Sequence, residues 1–323
     1  MTIAAQTAAR SRIITVGGGK GGVGKSLVAL NLAAALAQDG LRVVIADLDL
    51  GAANQHLLLG ILHPGPGLQA LLDKSVTEAK GCLIDTQVPN LRLLPGTSGV
   101  LGAANLAHSQ KVLLLRKLRA LEADIVVVDV GAGVGYNALD FFDLGSRKLL
   151  VTTPQVTALH DAYAFLKSAV LRLLRHSVDE KADAALLEPA TSSAGMDKVV
   201  QILGQLREIR PELADRVFRE LERFGACMVG NQVINEAHTG VFAAVAHTMH
   251  DYLGLKVPVL GWLRSSPGIH ESVNGRRPIA LEPRNKDAAA FRTLARALLA
   301  TLEADERNQG VVDAAAVDEP SAA

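Results

Sequence analysis

Cysteine is nearly missing from the 323-residue chain: Cys82 and Cys227 stand far apart, and neither belongs to a C-x-x-C pair. A disulfide framework and a cysteine-ligated metal cluster are thereby disfavoured, and each thiol reads as a small buried hydrophobe. Aromatic residues make up only 3%, which leaves few stacking platforms for single-stranded nucleic acid. Neither sign of charge is in excess, with 33 basic residues against 33 acidic ones and a formal net charge of +0. Bulk attraction to nucleic acid or anionic lipid is therefore disfavoured, although Arg264, Arg276, Arg277 and Arg284 leave a local basic patch open. No apolar run approaches the roughly 20 residues of a spanning helix, and the opening M-T-I-A-A-Q-T-A-A-R-S-R has no signal-peptide core. A cytoplasmic protein is expected.

What is present is a hydrophobic content of 49%, enough for a sizeable core. Short strand-like runs at Arg12–Gly17, Arg42–Leu48, Leu91–Leu94, Ile125–Val130, Lys148–Thr152, Ala226–Val229 and Val257–Leu260 recur between helical stretches. This alternation predicts an α/β fold with a doubly wound, mostly parallel sheet, whose ligands sit at the carboxyl ends of the strands. The pattern breaks at about 176–225, read as a helical insertion. There Val199, Leu203 and Leu206 share one face, and Leu213, Val217, Leu221 and Phe224 share another. Such a hairpin serves either as extra core cover or as a partner-docking surface. Residues 1–11 read as a flexible N-terminus, 12–309 as the main domain and 310–323 as a disordered acidic tail.

Between the first strand and the helix Leu27–Gln38 lies G-K-G-G-V-G-K-S, residues Gly19 to Ser26, of the form G-x-x-x-x-G-K-[ST]. Strand, glycine loop and helix in this order make a phosphate cradle. Gly19, Gly21, Gly22, Val23, Gly24, Lys25, Ser26 and Leu27 offer backbone N–H groups and a helix N-terminus to a triphosphate. Lys25 would pair with the β- and γ-phosphates, and the Ser26 hydroxyl would ligate Mg²⁺. Lys20 is a second cation that binding within one chain does not need, which points to a charge presented elsewhere, for example to a nucleotide on a second subunit. Asp47 and Asp49 then close the second strand, followed by Asn54, and Asp129 ends the run I-V-V-V-D-V-G-A-G. Phosphoryl transfer to water needs acids of this kind to hold the metal's water shell and orient the attacking water. His247 and His250 lack further convergent ligands and read as a surface pair.

K-G-G-V-G-K-S, D-L-D-L-G-A-A-N, V-V-V-D-V-G-A-G, T-T-P-Q-V-T-A-L-H-D-A-Y and the later V-G-N-Q-V, P-V-L-G-W-L and S-V-N-G-R-R-P-I-A-L together resemble the MinD/ParA family of deviant-Walker-A ATPases. The likeness is strongest to the MinD-like branch that includes the flagellar-number regulators FlhG and FleN, and it covers about residues 12–300. It implies a SIMIBI-type P-loop NTPase fold, ATP and Mg²⁺ as cofactors, an ATP-dependent homodimer, slow hydrolysis and an unidentified protein partner. Carried over, Lys20 is the signature lysine that crosses the dimer, and Asp161 the aspartate that pairs with it. Lys25 and Ser26 are the phosphate and Mg²⁺ ligands, Asp47 and Asp129 the further metal-site acids, and Asp49 the residue positioning water. Asn54 is a switch residue and Asn231 reads adenine.

The chain also departs from the family's pattern. Gln155 replaces a glutamate used across the dimer, Leu263–Ser266 (L-R-S-S) replaces a Pro-acidic turn, and no MinD-type membrane-targeting tail is recognisable. Phe291, Leu294, Leu298 and Leu302 read as the inner face of a final helix, so little intrinsic membrane binding is expected. The role implied is regulation of flagellar number or polar placement. A partitioning ATPase on nonspecific DNA, disfavoured by the neutral charge, and a non-catalytic ATP-binding scaffold are the alternatives.

Overall fold

The structure, a computed structural model, describes residues 11–50, 52–97, 106–177 and 199–317. Among them a sheet is built from β1 (Arg12–Gly17), β2 (Val43–Leu48), β3 (Ile84–Asp85), β4 (Leu91–Leu94), β5 (Ile125–Val130), β6 (Arg147–Thr152), β7 (Ala226–Val233) and β8 (Val259–Arg264). The strand order is β3-β4-β2-β5-β1-β6-β7-β8, and only β3 runs antiparallel to its neighbour. This is the doubly wound, mostly parallel sheet that the alternating runs predict.

Helices α1 (Lys25–Gln38), α2 (Gln55–Leu58), α3 (Gly67–Leu72), α4 (His108–Arg119) and α5 (Tyr136–Asp143) accompany the strands up to β6. Beyond it come α6 (Val156–His176), α7 (Val199–Ile209), α8 (Pro211–Glu222), α9 (Gly240–Leu253), α10 (Pro267–Asn274) and α11 (Lys286–Val317).

Strand side chains alternate between two cores, as a sheet covered on both faces requires. Ile13, Val44, Ala46, Val126 and Val128 join Phe142 of α5 and Phe165 of α6 on one face. Ile14, Val16, Val43, Ile45 and Val127 join α1 and α11 on the other. Helix α1 has no polar face, which suits a helix enclosed by the sheet and α11: Val28 through Ala37 are all buried. Phe291, Leu294, Leu298 and Leu302 are buried along α11 in this same core, the packing role predicted for them.

Several expectations shift. The two-residue β3 is too short to register as a periodic run. The last strand begins at Val259 rather than Val257, because Pro258 has no N–H to donate and serves only as an acceptor for the Met228 amide. Helix α11 runs to Val317, over Ala314–Ala316, residues of high helix propensity assigned from the sequence to the tail. Residues 1–10, 178–198 and 318–323, parts of the proposed terminus, insertion and tail, lie outside the described residues.

The hairpin α7–α8 resolves in favour of core cover. Val199, Leu203, Leu206, Leu213, Val217, Leu221 and Phe224 are buried in one cluster with Val170 and Leu174 of α6 and Phe242 and Met249 of α9. Both apolar stripes are thus consumed by the fold, which removes the reason for expecting a partner on them.

Candidate functional site

The glycine loop between β1 and α1 is held against two neighbouring elements. Gly22 and Gly24 have φ of 81° and 89°, a region that favours glycine. A Cβ on Gly19 would stand 2.0 Å from the Asp161 carbonyl oxygen, and one on Gly24 would stand 2.2 Å from Asn231 Nδ2. The loop therefore rests on the first turns of α6 and on the end of β7. From that strand Asn231 Nδ2 donates to the Val23 carbonyl and Gln232 Nε2 to the Gly22 carbonyl, each at 2.8 Å. No side chain caps the N-terminus of α1, so its first-turn amides are left for an anion.

Beneath the loop Lys25 is only 7% exposed. Its Nζ donates to the Lys20 carbonyl at 3.3 Å. Burial lowers its pKa, while the nearby Asp129 and Asp49 carboxylates oppose that shift. The acids are there because β2 and β5 pair in a register that sets Asp47 beside Asp129. Asp47 Oδ2 accepts from the Asn54 and Gln55 amides, both at 2.9 Å, and Oδ1 accepts from the Asp49 amide at 3.2 Å. Burial still pushes its pKa up to about 6. Burial, then the Asp47 charge, pushes Asp129 up to about 7, with the Ser26 and Gln55 side chains opposing. Asp49 is raised by burial and lowered by Lys25, and the Gly131 backbone approaches its carboxylate closely enough that a Cβ would lie 2.9 Å from Oδ1.

Two buried carboxylates in register, with Asp129 Oδ1 and Asn54 Oδ1 both buried and without a hydrogen-bond partner, form a hard, oxygen-rich environment suited to a hydrated divalent cation. Ser26, Asp47 and Asp129 are the residues that fit it. Asp129→Asn is expected to raise the melting temperature of the nucleotide-free protein by about 2 °C, because it removes a buried charge that Asp47 repels. The sign with pH follows from the raised values: stability contributed by these acids is present below their ordinary 3.8 and lost as pH rises through about 6 to 7. Scanning fluorimetry from pH 4 to 8 checks both, with a shallower decline expected for Asp129→Asn.

Not every predicted partnership forms. Lys20 Nζ donates to Thr157 Oγ1 at 2.9 Å, whereas the Asp161 carboxylate lies 3.3 Å from His160 Nδ1. Lys20 and Asp161 form no ion pair in this structure; Thr157, one turn earlier on α6, is the nearer acceptor. Asn231 is 2% exposed and one of its two amide hydrogens is committed to the glycine loop. Gln55 is a residue that sequence reasoning passed over: fully buried, it donates from Nε2 to the Ser26 carbonyl at 3.0 Å and to Asp129 Oδ2 at 2.8 Å. The one available signal was a polar side chain immediately after Asn54, opening the short helix Q-H-L-L.

A phosphate cradle at the carboxyl edge of a parallel sheet, with an adjacent lysine and serine above paired acids, defines a P-loop nucleotide-binding protein. The family model for ParA, described as NUBPL iron-transfer P-loop NTPase, matches residues 9–170, and the chain belongs to the ParA/MinD family of P-loop NTPases.

The chain is 37% identical over 161 residues to the antiactivator FleN of Pseudomonas aeruginosa, covering 48% of this chain and 55% of that protein. It is 34% identical over 159 residues to the flagellum site-determining protein YlxH of Helicobacter pylori, covering 49% and 53%. The chain thus spans about half the length of these curated relatives. Among solved structures it is similar to the septum site-determining protein MinD of Pyrococcus horikoshii complexed with Mg-ADP, with a TM-score of 0.60, 21% identity and coverage of 88% and 94%. That likeness supports the fold alone. Cys82 and Cys227 are buried in different cores on opposite faces of the sheet, so they cannot jointly hold an iron group.

Proposed function

We propose that this chain is a Mg²⁺-dependent ATPase acting as a dimeric switch in the cytoplasm, where it regulates the number or placement of flagella, or another polar structure, through a protein partner. One arrangement carries the reading: Lys25 and Ser26 lie under an uncapped glycine cradle and directly beside the buried acids Asp47 and Asp129 and the half-buried Asp49. Gly19 through Leu27 bind the phosphates, Lys25 pairs with their charge, and Ser26, Asp47 and Asp129 hold the metal. Bound Mg²⁺ supplies Lewis-acid stabilisation of charge on the phosphates. Asp49, less buried than its neighbours and close to Lys25, orients the attacking water and accepts its proton. Asn54 senses the terminal phosphate. Asn231 reads the adenine edge through Oδ1, one of its two amide hydrogens being already bound to Val23.

Lys20 works across the dimer. Its ammonium is exposed and bound to a neutral hydroxyl, so it is free to reach a partner's nucleotide. The segments following β2, β5, β6 and β7 present Leu57, Val134, Tyr136, Val156 and Ile234 to solvent, with Val156 82% and Ile234 90% exposed. This apolar rim around the P-loop suits a second copy of the chain.

The similarity to FleN and YlxH supports the flagellar setting. Phosphate release is expected to require Mg²⁺ and to be slow, well below the about 10 s⁻¹ median of enzymes. Cells lacking the gene are expected to change flagellar number or position. Wild-type flagellation in such cells would remove the flagellar role, and Mg²⁺-independent or absent turnover would remove the ATPase.

A further inference from the structure

Gln55 joins three parts of the site through its backbone and side chain. Its backbone amide donates to Asp47 Oδ2 on β2 at 2.9 Å. Its side-chain amide donates to the Ser26 carbonyl in α1 and to Asp129 Oδ2 on β5. Both hydrogens of Nε2 are thereby used. The acceptors left over are informative: Gln55 Oε1 and Asp129 Oδ1 are both buried with no hydrogen-bond partner. Because the 2.8 Å bond links these same two groups, the unmatched oxygens lie on adjoining side chains. A buried acceptor without a donor is unfavourable, and a hydrated cation brings donors in the form of its bound water.

We propose that Gln55 is a positioning residue for metal-dependent nucleotide binding: it clamps one oxygen of Asp129 to the P-loop helix and turns the other toward the metal's water shell. The inference rests on the ATPase reading above. Methionine has similar length but no donor, so Gln55→Met deprives Asp129 Oδ2 and the Ser26 carbonyl of the Gln55 bonds; for a residue serving only as a core tie that loss would fall on stability and leave the Mg²⁺ requirement unchanged. Outer-sphere partners of a metal site instead shift metal affinity by about 10- to 100-fold when removed.

The test is the Mg²⁺ concentration that half-saturates binding of a fluorescent ATP analogue, measured together with analogue affinity in EDTA and with thermal melting. Gln55→Met is expected to melt below the wild-type temperature while remaining folded, because Asp129 Oδ2 loses its Gln55 donor, to need about tenfold more Mg²⁺, and to bind the analogue in EDTA within about twofold of wild type. In an Asp129→Asn background Gln55→Met is expected to add no further shift, because Gln55 acts through that carboxylate. If Gln55→Met does not fold, Gln55→Asn carries the same test, its shortened amide losing one acceptor and about threefold in Mg²⁺.

A folded variant with the wild-type Mg²⁺ requirement would overturn the proposal. So would equal weakening with and without Mg²⁺, or failure of both variants to fold, which would assign Gln55 to the core. Wild-type protein that binds the analogue with no dependence on Mg²⁺ would end the ATPase reading itself, and this inference with it.

Discussion

Lys25→Ala is expected to lose ATP binding by at least about 100-fold. A lysine bridging two phosphates makes charge-assisted hydrogen bonds of about 1.5–3 kcal/mol each, and about 1.4 kcal/mol is a factor of ten. The burial of Lys25 makes the effect larger than at a surface cation. At 7% exposure the ammonium has already left water, and its one long bond, to the Lys20 carbonyl at 3.3 Å, is readily exchanged for phosphate oxygens. For the same reason folding is little affected, with a melting temperature within about 3 °C of wild type in the absence of nucleotide. Equilibrium binding of a fluorescent ATP analogue reads the first effect and a thermal melt the second. Retained affinity would place the phosphates somewhere other than this loop.

Asp49→Ala is expected to do the opposite: keep ATP and lose turnover, by about 100-fold or more, the range for removing a positioned general base. Asp49 is separable from its neighbours on geometric grounds. Asp47 is tied to three backbone amides and Asp129 to Gln55, whereas Asp49 is partly exposed and its carboxylate faces Lys25 and the Gly131 backbone. Its removal therefore leaves Asp47, Asp129 and the loop in place. Single-turnover phosphate release, measured beside analogue affinity, distinguishes this from a general loss of binding.

The contrast between these residues explains what was legible in the chain. The glycine loop, Lys25, Ser26, Asp47, Asp49 and Asp129 could be picked out because phosphate chemistry constrains residue type at the ends of successive strands, and the structure brings these residues together at one edge of the sheet. The parallel sheet was equally legible, since strands buried on both faces must be nearly continuous apolar runs.

Contacts that close through space were not. Gln55 looks like any polar residue at the start of a short helix until β2 and β5 come into register beside it. Thr157 takes Lys20 in place of Asp161 because one turn of α6 decides which acceptor is nearer, a distance that no motif encodes. Asn231 could be read as a base-binding amide, yet one of its two amide hydrogens is already bound to the Val23 carbonyl, a partner more than two hundred residues away in the chain. The hairpin's stripes were visible, but which surface covers them depended on α6 and α9.

The central claim is that ATP joins two copies of this chain through Lys20. Multi-angle light scattering of the wild-type protein with Mg²⁺ and ATP, with ADP, and without nucleotide tests it most directly, with Asp49→Ala to prevent turnover and Lys20→Ala to remove the crossing charge. The account predicts a doubled mass only with ATP, strongest for Asp49→Ala, and a monomer under every condition for Lys20→Ala despite retained nucleotide. A Lys20→Ala protein that doubles its mass with ATP as the wild type does, or a wild type whose mass ignores the nucleotide, would contradict it.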